Sequence, residues 1–155
     1  MKTVTMQPIG VVHSERKVLE DDHWDGVPVF VELDGSQFSP EALAGLDTFS
    51  HVQVIFLMDR VDPGKIETSA RHPRNNPAWP KVGIFAQRGK NRPNRMGETV
   101  CRVDRVEGLR VYVTGLDAID GTPVLDLKPW VREFAPRGEI RQPAWMDALM
   151  TEYWE

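Results

Sequence analysis

Along most of this chain apolar and polar residues alternate in short runs, with a period of two. The runs are bounded by Gly, Pro and charged clusters, a pattern that predicts strands rather than helices. Residues 9–13 (Ile-Gly-Val-Val-His) open the series, and residues 27–33 follow with β-branched strand formers. The most regular run is 50–59, where Val52, Val54 and Phe56 alternate before residues 55–58 become apolar on both sides. That double-sided end predicts a central position for its second half. Residues 82–87 read as a further strand, 99–106 and 110–116 as a hairpin about Glu107-Gly108, and 124–131 as a last strand.

Helical signals are few. Ser39 as cap, Pro40 in the first turn and Gly45 at the end predict a helix of one or two turns. At the far end, Trp145, Leu149 and Tyr153 recur at i, i+4 and i+8, predicting a terminal helix over 143–154 that packs on the body or on a second subunit. About seven strands with no strand–long helix–strand alternation predict a closed or rolled antiparallel sheet, mainly β. With 155 residues the expectation is one domain over 1–155.

Charge changes the picture more than composition does. The chain as a whole carries −4, yet between Arg71 and Arg105 nine Lys or Arg face two acids, a local +7 that leaves −11 on the rest. Such segregation draws in phosphate-bearing partners. Its centre is the loop holding Arg88, Lys90, Arg92 and Arg95 around Pro93, flanked by Gly89 and Gly97. Four cations so close together cannot all be buried, so the loop faces water or an anionic ligand. The preceding stretch, 61–81, is a long loop with four prolines. Its Arg71, His72, Arg74 and Trp79 make it a candidate substrate-contacting flap. Residues 20–26 form an acidic loop around a single aromatic, Trp24.

Several chemistries lack their residues. His13, His23, His51 and His72 are scattered and no cysteine cluster exists, so no metal is expected. The one cysteine, Cys101, lies in strand pattern and reads as a small core residue; a lone thiol suits a reducing cytoplasm. No apolar run approaches membrane-spanning length. Walker, Gly-x-Gly-x-x-Gly and Gly-x-Ser-x-Gly motifs are absent. Asn76-Pro77-Ala78-Trp79 is one residue from the Asn-Pro-Pro-Trp motif of amino-methyltransferases but lacks its Rossmann context. What remains is a set of polar groups at strand ends, Asp59-Arg60, Arg88 and Asp120-Gly121-Thr122, which one rim of a barrel-like sheet would bring together as an anion- and hydroxyl-binding site.

Four stretches, taken together, resemble the TrmO (YaeB-like) family of tRNA N6-adenosine methyltransferases. They are residues 8–14 (Pro-Ile-Gly-Val-Val-His-Ser), 46–52 (Leu-Asp-Thr-Phe-Ser-His-Val), 83–88 (Gly-Ile-Phe-Ala-Gln-Arg) with Arg92-Pro93-Asn94, and 115–129 (Gly-Leu-Asp-Ala-Ile-Asp-Gly-Thr-Pro-Val-Leu-Asp-Leu-Lys-Pro). Gly89-Lys90 and Arg95-Met96 stand where the family usually writes Ser-Pro and Pro-Ile, and the extra C-terminal domain of longer bacterial members is not seen. The resemblance implies a single-sheeted antiparallel β-barrel, commonly a homodimer, that uses S-adenosylmethionine to methylate N6 of threonylcarbamoyl-adenosine at position 37 of tRNA.

On the same footing it implies a cofactor pocket taking His23, Trp24, Asp59, Arg60, Arg88, Glu98, Asp120, Gly121 and Thr122. Arg88 suits the cofactor's carboxylate through a bidentate pair. Asp120 is the candidate catalytic acceptor for the adenine N–H groups. Arg71, Arg74, Lys90, Arg92 and Arg95 would hold tRNA phosphates. Two other classes stay open at this point: a non-catalytic RNA-binding barrel, and a methyltransferase for another RNA or a small molecule.

Overall fold

A computed structural model describes residues 1–155. Six strands close into an antiparallel barrel: β1 (Gly10–Ser14), β2 (Val29–Leu33), β3 (His51–Leu57), β6 (Met96–Glu107), β7 (Arg110–Thr114) and β8 (Pro123–Pro129), in the order β1-β2-β7-β6-β3-β8. β8 returns to β1 through Gly10 and Val124 and seals the ring. Two short strands, β4 (Ala70–Arg71) and β5 (Val82–Gly83), pair with each other outside it.

Period-two alternation decides which side chains enter. Val29, Val31 and Leu33 of β2, and Val52, Val54 and Phe56 of β3, point inward with Val12, Val111, Val113 and Val124. Cys101 is fully buried among them, as a small core residue should be, and burial pushes its thiol pKa up. The 12-residue β6 serves two neighbours: its first half pairs with β3 and its second with β7. Gly97 lies opposite Phe56, and a Cβ there would come within 2.2 Å of the ring. Only glycine leaves Phe56 room to lie flat at the barrel end.

Several elements depart from the expectations. β3 keeps strict alternation to its end, with Ile55 and Leu57 half-buried, because a barrel wall has a single inner face. Residues 84–86 leave the strand as a 3₁₀ turn, so the run from 82 holds only a two-residue strand. The sheet then resumes at Met96, before Thr99. The helix near Pro40 is one 3₁₀ turn, Pro40–Leu43, and the Ser39 side chain makes no capping bond. The turn at Asp120-Gly121 forms as expected, with Gly121 at φ +82°.

The terminal helix α1 spans only Ala144–Met150. It and the residues after it pack on the body. His23, Trp24 and Asp25 donate their N–H groups to the carbonyls of Glu152, Tyr153 and Trp154 at 3.0, 3.0 and 3.2 Å. This backbone latch joins the acidic loop to the chain end, more than a hundred residues away. No helix is long and apolar enough to cross a membrane.

Candidate functional site at the barrel rim

One end of the barrel carries a cavity of about 490 Å³, within the roughly 300–1,000 Å³ common to small-molecule sites. Its floor is the end of the core, with Phe56 of β3, Thr99 of β6 and Thr122 before β8. Its walls come from the acidic loop (Trp24), the flap (Pro73, Arg74), the basic loop (Gln87–Lys90) and the terminal segment, which supplies Trp145, Tyr153 and Trp154. The three predicted residues of the helical face, Trp145, Leu149 and Tyr153, all face it.

Arginines hold these loops in place. Arg16 is buried, with Nη1 and Nη2 each donating at 2.8 Å to the carbonyls of His23 and Asp22. Its guanidinium lies 3.7 Å from the centre of the Trp24 ring, a cation–π contact that fixes the indole. Arg74 grips the Asp22 carboxylate at both nitrogens, 2.8 and 2.6 Å, and this pair is largely shielded. The Asp22 bond is the main reason the Arg74 pKa is raised. Lys90 reaches Asp21 at 3.3 Å across a more exposed gap. The non-glycine residues with positive φ, His23, Arg74, Asn75 and Arg95, all lie in these rim loops. Such strain persists only where surrounding bonds over-determine it.

The residues singled out from the sequence divide accordingly. Trp24, Asp59, Arg60, Arg88, Glu98 and Thr122 line the cavity, as do Arg74 and Lys90. His23 lies behind the wall, its Nδ1 3.1 Å from the Glu155 carbonyl. Asp120, expected to face the acceptor, instead takes the backbone N–H of Ser14 on Oδ1 at 3.0 Å. Its carbonyl accepts from Arg60 at 3.0 Å, so it braces the wall from outside, with Gly121 beside it. Arg71 bonds Asn75, Arg92 the Gln87 carbonyl, and Arg95 the carbonyls of Asp59 and Val61. These three lie off the cavity. Arg88 donates to the Glu98 carbonyl at 2.8 Å, which pins it at the cavity wall. Residues 76–79 form a local turn, with Asn76 Oδ1 accepting from the Ala78 N–H, and they do not reach the cavity.

Two features add to the sequence reading, which held Asp117 only as part of the 115–129 stretch and Trp24 only as a pocket residue. Asp117, in the coil after β7, presents its carboxylate to the cavity and accepts from the hydroxyls of Thr99 and Tyr153. Burial first, and the Asp117 charge second, push the Tyr153 pKa up, so its phenol remains a donor. The other feature is Trp24 Nε1, a buried donor on the cavity-lining residue with no partner in the protein.

A family model described as the tRNA-methyltransferase O N-terminal domain matches residues 20–135. The human protein named tRNA (adenine(37)-N6)-methyltransferase is 38% identical over 106 residues, which are 68% of this chain but 24% of that protein. A probable S-adenosyl-L-methionine-binding protein of Pyrococcus abyssi is 32% identical over 148 residues, 89% of this chain and 74% of that one. Among solved structures, TrmO from Pseudomonas aeruginosa superposes with a TM-score of 0.70 at 29% identity, covering 90% of this chain and 62% of that one. The chain thus spans about a quarter of the human relative's length and under two thirds of the solved TrmO chain.

Proposed function

The chain belongs to the family of the tRNA-methyltransferase O N-terminal domain, and from that premise we propose that it transfers a methyl group from S-adenosylmethionine to N6 of adenosine 37 in tRNA. The observation that carries the reading is the rim cavity, where aromatic faces, carboxylates and one pinned guanidinium converge.

The residues present fit the cofactor. The faces of Trp24, Trp145 and Trp154 suit both an adenine ring and a sulfonium cation. Trp24, whose ring lines the cavity, also carries a buried Nε1 donor with no partner in the protein. Arg88 uses one N–H on Glu98, and its remaining donors suit a carboxylate. Asp59 and Glu98 at the mouth suit an ammonium group, and Arg60 and Thr122 complete the lining. His23, Asp120 and Gly121 support this wall from behind. When bound, S-adenosylmethionine supplies a methyl carbon made electrophilic by the adjoining sulfonium. The chain's part is to orient the acceptor in line with that carbon and to exclude water, an arrangement that can account for most of the rate.

The tRNA approaches from the basic side. Arg74 and Lys90 stand at the mouth, and Arg71, Arg92 and Arg95 stiffen the surrounding loops while offering their spare donors to phosphates. A homodimer belongs to this reading, supported by the exposed Phe85, Phe134 and Ile140, as does a cytoplasmic setting, which suits the lone cysteine.

Calorimetric titration with S-adenosylmethionine, paired with transfer of labelled methyl to tRNA carrying adenosine or guanosine at position 37, tests the proposal. Saturable binding and label only on the adenosine form are expected. A folded chain that binds no S-adenosylmethionine would overturn it.

A further inference from the structure

Of the carboxylates that line the cavity, Glu20, Asp21, Asp59 and Glu98 are exposed, and Asp117 alone is shielded. Its two oxygens are held from opposite sides, by Thr99 on β6 and by Tyr153 on the terminal segment. A carboxylate offers about four lone-pair sites, so two hydroxyl donors fix its plane and still leave acceptor capacity toward the cavity. The terminal segment is itself tied down by the backbone latch to residues 23–25. Residues 144–154 lie beyond the residues that the family model matches, 20–135. Three segments remote in sequence therefore converge on one acceptor.

In its immediate cluster Asp117 is the one carboxylate. Facing it are Thr99 and Cys101 from β6 and Tyr153 from the terminal segment, with Arg88 of the basic loop and Arg74 of the flap beside Tyr153. Burial and the Asp117 charge keep the Cys101 thiol and the Tyr153 phenol protonated. The two guanidiniums are always charged.

We propose that Asp117 is a catalytic residue that accepts the adenine N6–H, and that Tyr153 positions it. This rests on the methyl-transfer reading above. An exocyclic adenine nitrogen is a weak nucleophile, because its lone pair is delocalised into the ring. A carboxylate drawing on its N–H returns electron density to nitrogen. As the N6 lone pair forms the new bond to the methyl carbon, the carbon–sulfur bond breaks and its electron pair stays on sulfur as a neutral thioether. An N6 proton passes to Asp117 and from there to water. Charge balances: the sulfonium cation and the carboxylate anion are both neutralised.

The test pairs single-turnover methyl transfer to adenosine-37 tRNA with S-adenosylmethionine titration, on wild type, Asp117→Asn and Tyr153→Phe. Asp117→Asn should lose about 10²–10⁴-fold in rate, the usual range for a general base, while cofactor affinity stays within about threefold of wild type. Tyr153→Phe should lose a smaller factor in rate at saturating tRNA and S-adenosylmethionine, with the affinity for both unchanged, the mark of a residue that positions the acceptor. Activity of Asp117→Asn within about threefold of wild type overturns the proposal. So does a Tyr153→Phe rate equal to wild type, a measurement that holds even if the asparagine variant fails to fold. A wild type that binds no S-adenosylmethionine overturns the function as well. An active wild type beside an unimpaired Asp117→Asn overturns only the role of Asp117.

Discussion

The barrel interior and the rim that carries the cavity bury different things. Inside, Val12, Val31, Val52, Val54, Val111 and Val124 have no accessible surface and touch other hydrocarbon. At the rim the buried or shielded groups are guanidiniums and carboxylates: Arg16 on two carbonyls and the Trp24 face, Arg74 on Asp22, Asp117 under two hydroxyls. Apolar burial is non-directional and survives small shifts, whereas each rim bond depends on one geometry and one charge state. Binding loops are generally drawn from the low-stability end of a fold, and the rim loops, held by such bonds, belong to that class. The comparison also explains the basic stretch. Its arginines are loop staples first, because a guanidinium has five donors and can close a loop while still facing a ligand.

The contrast breaks most visibly from the inside. Leu33→Ala removes a buried core side chain remote from the cavity and should cost about 2–5 kcal/mol of global stability. Denaturant melts should show it as a lower midpoint at unchanged slope. A midpoint shift no larger than that of a surface change would mean that the barrel is not the stable half. At the rim, Arg74→Ala leaves Asp22 without its shielded partner and should weaken the latch by about 1–2 kcal/mol. The effect should appear as faster amide exchange in residues 21–26, with the global midpoint nearly unmoved. Equal loss in both readouts would join the two regions into one cooperative unit.

The smallest effect sharpens the comparison on the outer wall. There Arg110 Nε donates to Glu32 at 2.9 Å and His13 Nε2 lies 2.9 Å from the same carboxylate, beside a cross-strand stack of His13, Phe30 and Tyr112. The Arg110 bond, ahead of the other causes, holds the Glu32 pKa below the ordinary carboxylate value. A lowered folded-state pKa contributes stability that is present above the unfolded value and lost as pH falls through the folded one. Glu32→Gln should therefore melt like wild type when both are acidified through that range, and slightly below it at neutral pH. Because the site is exposed, the difference should be slight. A gap that widened in acid would reverse the assigned sign.

Much of the barrel was legible before the fold was known, since alternation is a local property. Val29, Val31 and Leu33 could not all face inward unless the strand ran as their spacing says, and Asp120-Gly121 announced its own turn. The same locality accounts for the errors. Ile55 and Leu57 looked central because an apolar pair reads alike in a buried sheet and on a partly covered barrel wall. The run from Val82 looked like a strand because its alternation carries no sign that residues 84–86 coil into a 3₁₀ turn. The helical spacing of Trp145, Leu149 and Tyr153 marked an apolar face without saying that it would line the cavity.

What the sequence determined by itself was a mainly β chain with its inward faces, its principal turns and a segregated block of cations. Those follow from nearest neighbours and from periods of two and 3.6, which any reader of the chain can count. The tertiary structure alone decided that Arg74 ends on Asp22, that Trp24 is wedged beneath Arg16, and that Asp117 meets Thr99 and Tyr153. An arginine or a carboxylate carries no local signature of its eventual partner. Its choice is made by which loops the closed barrel brings to the same rim, and that closure depends on pairing β8 with β1 across more than a hundred residues.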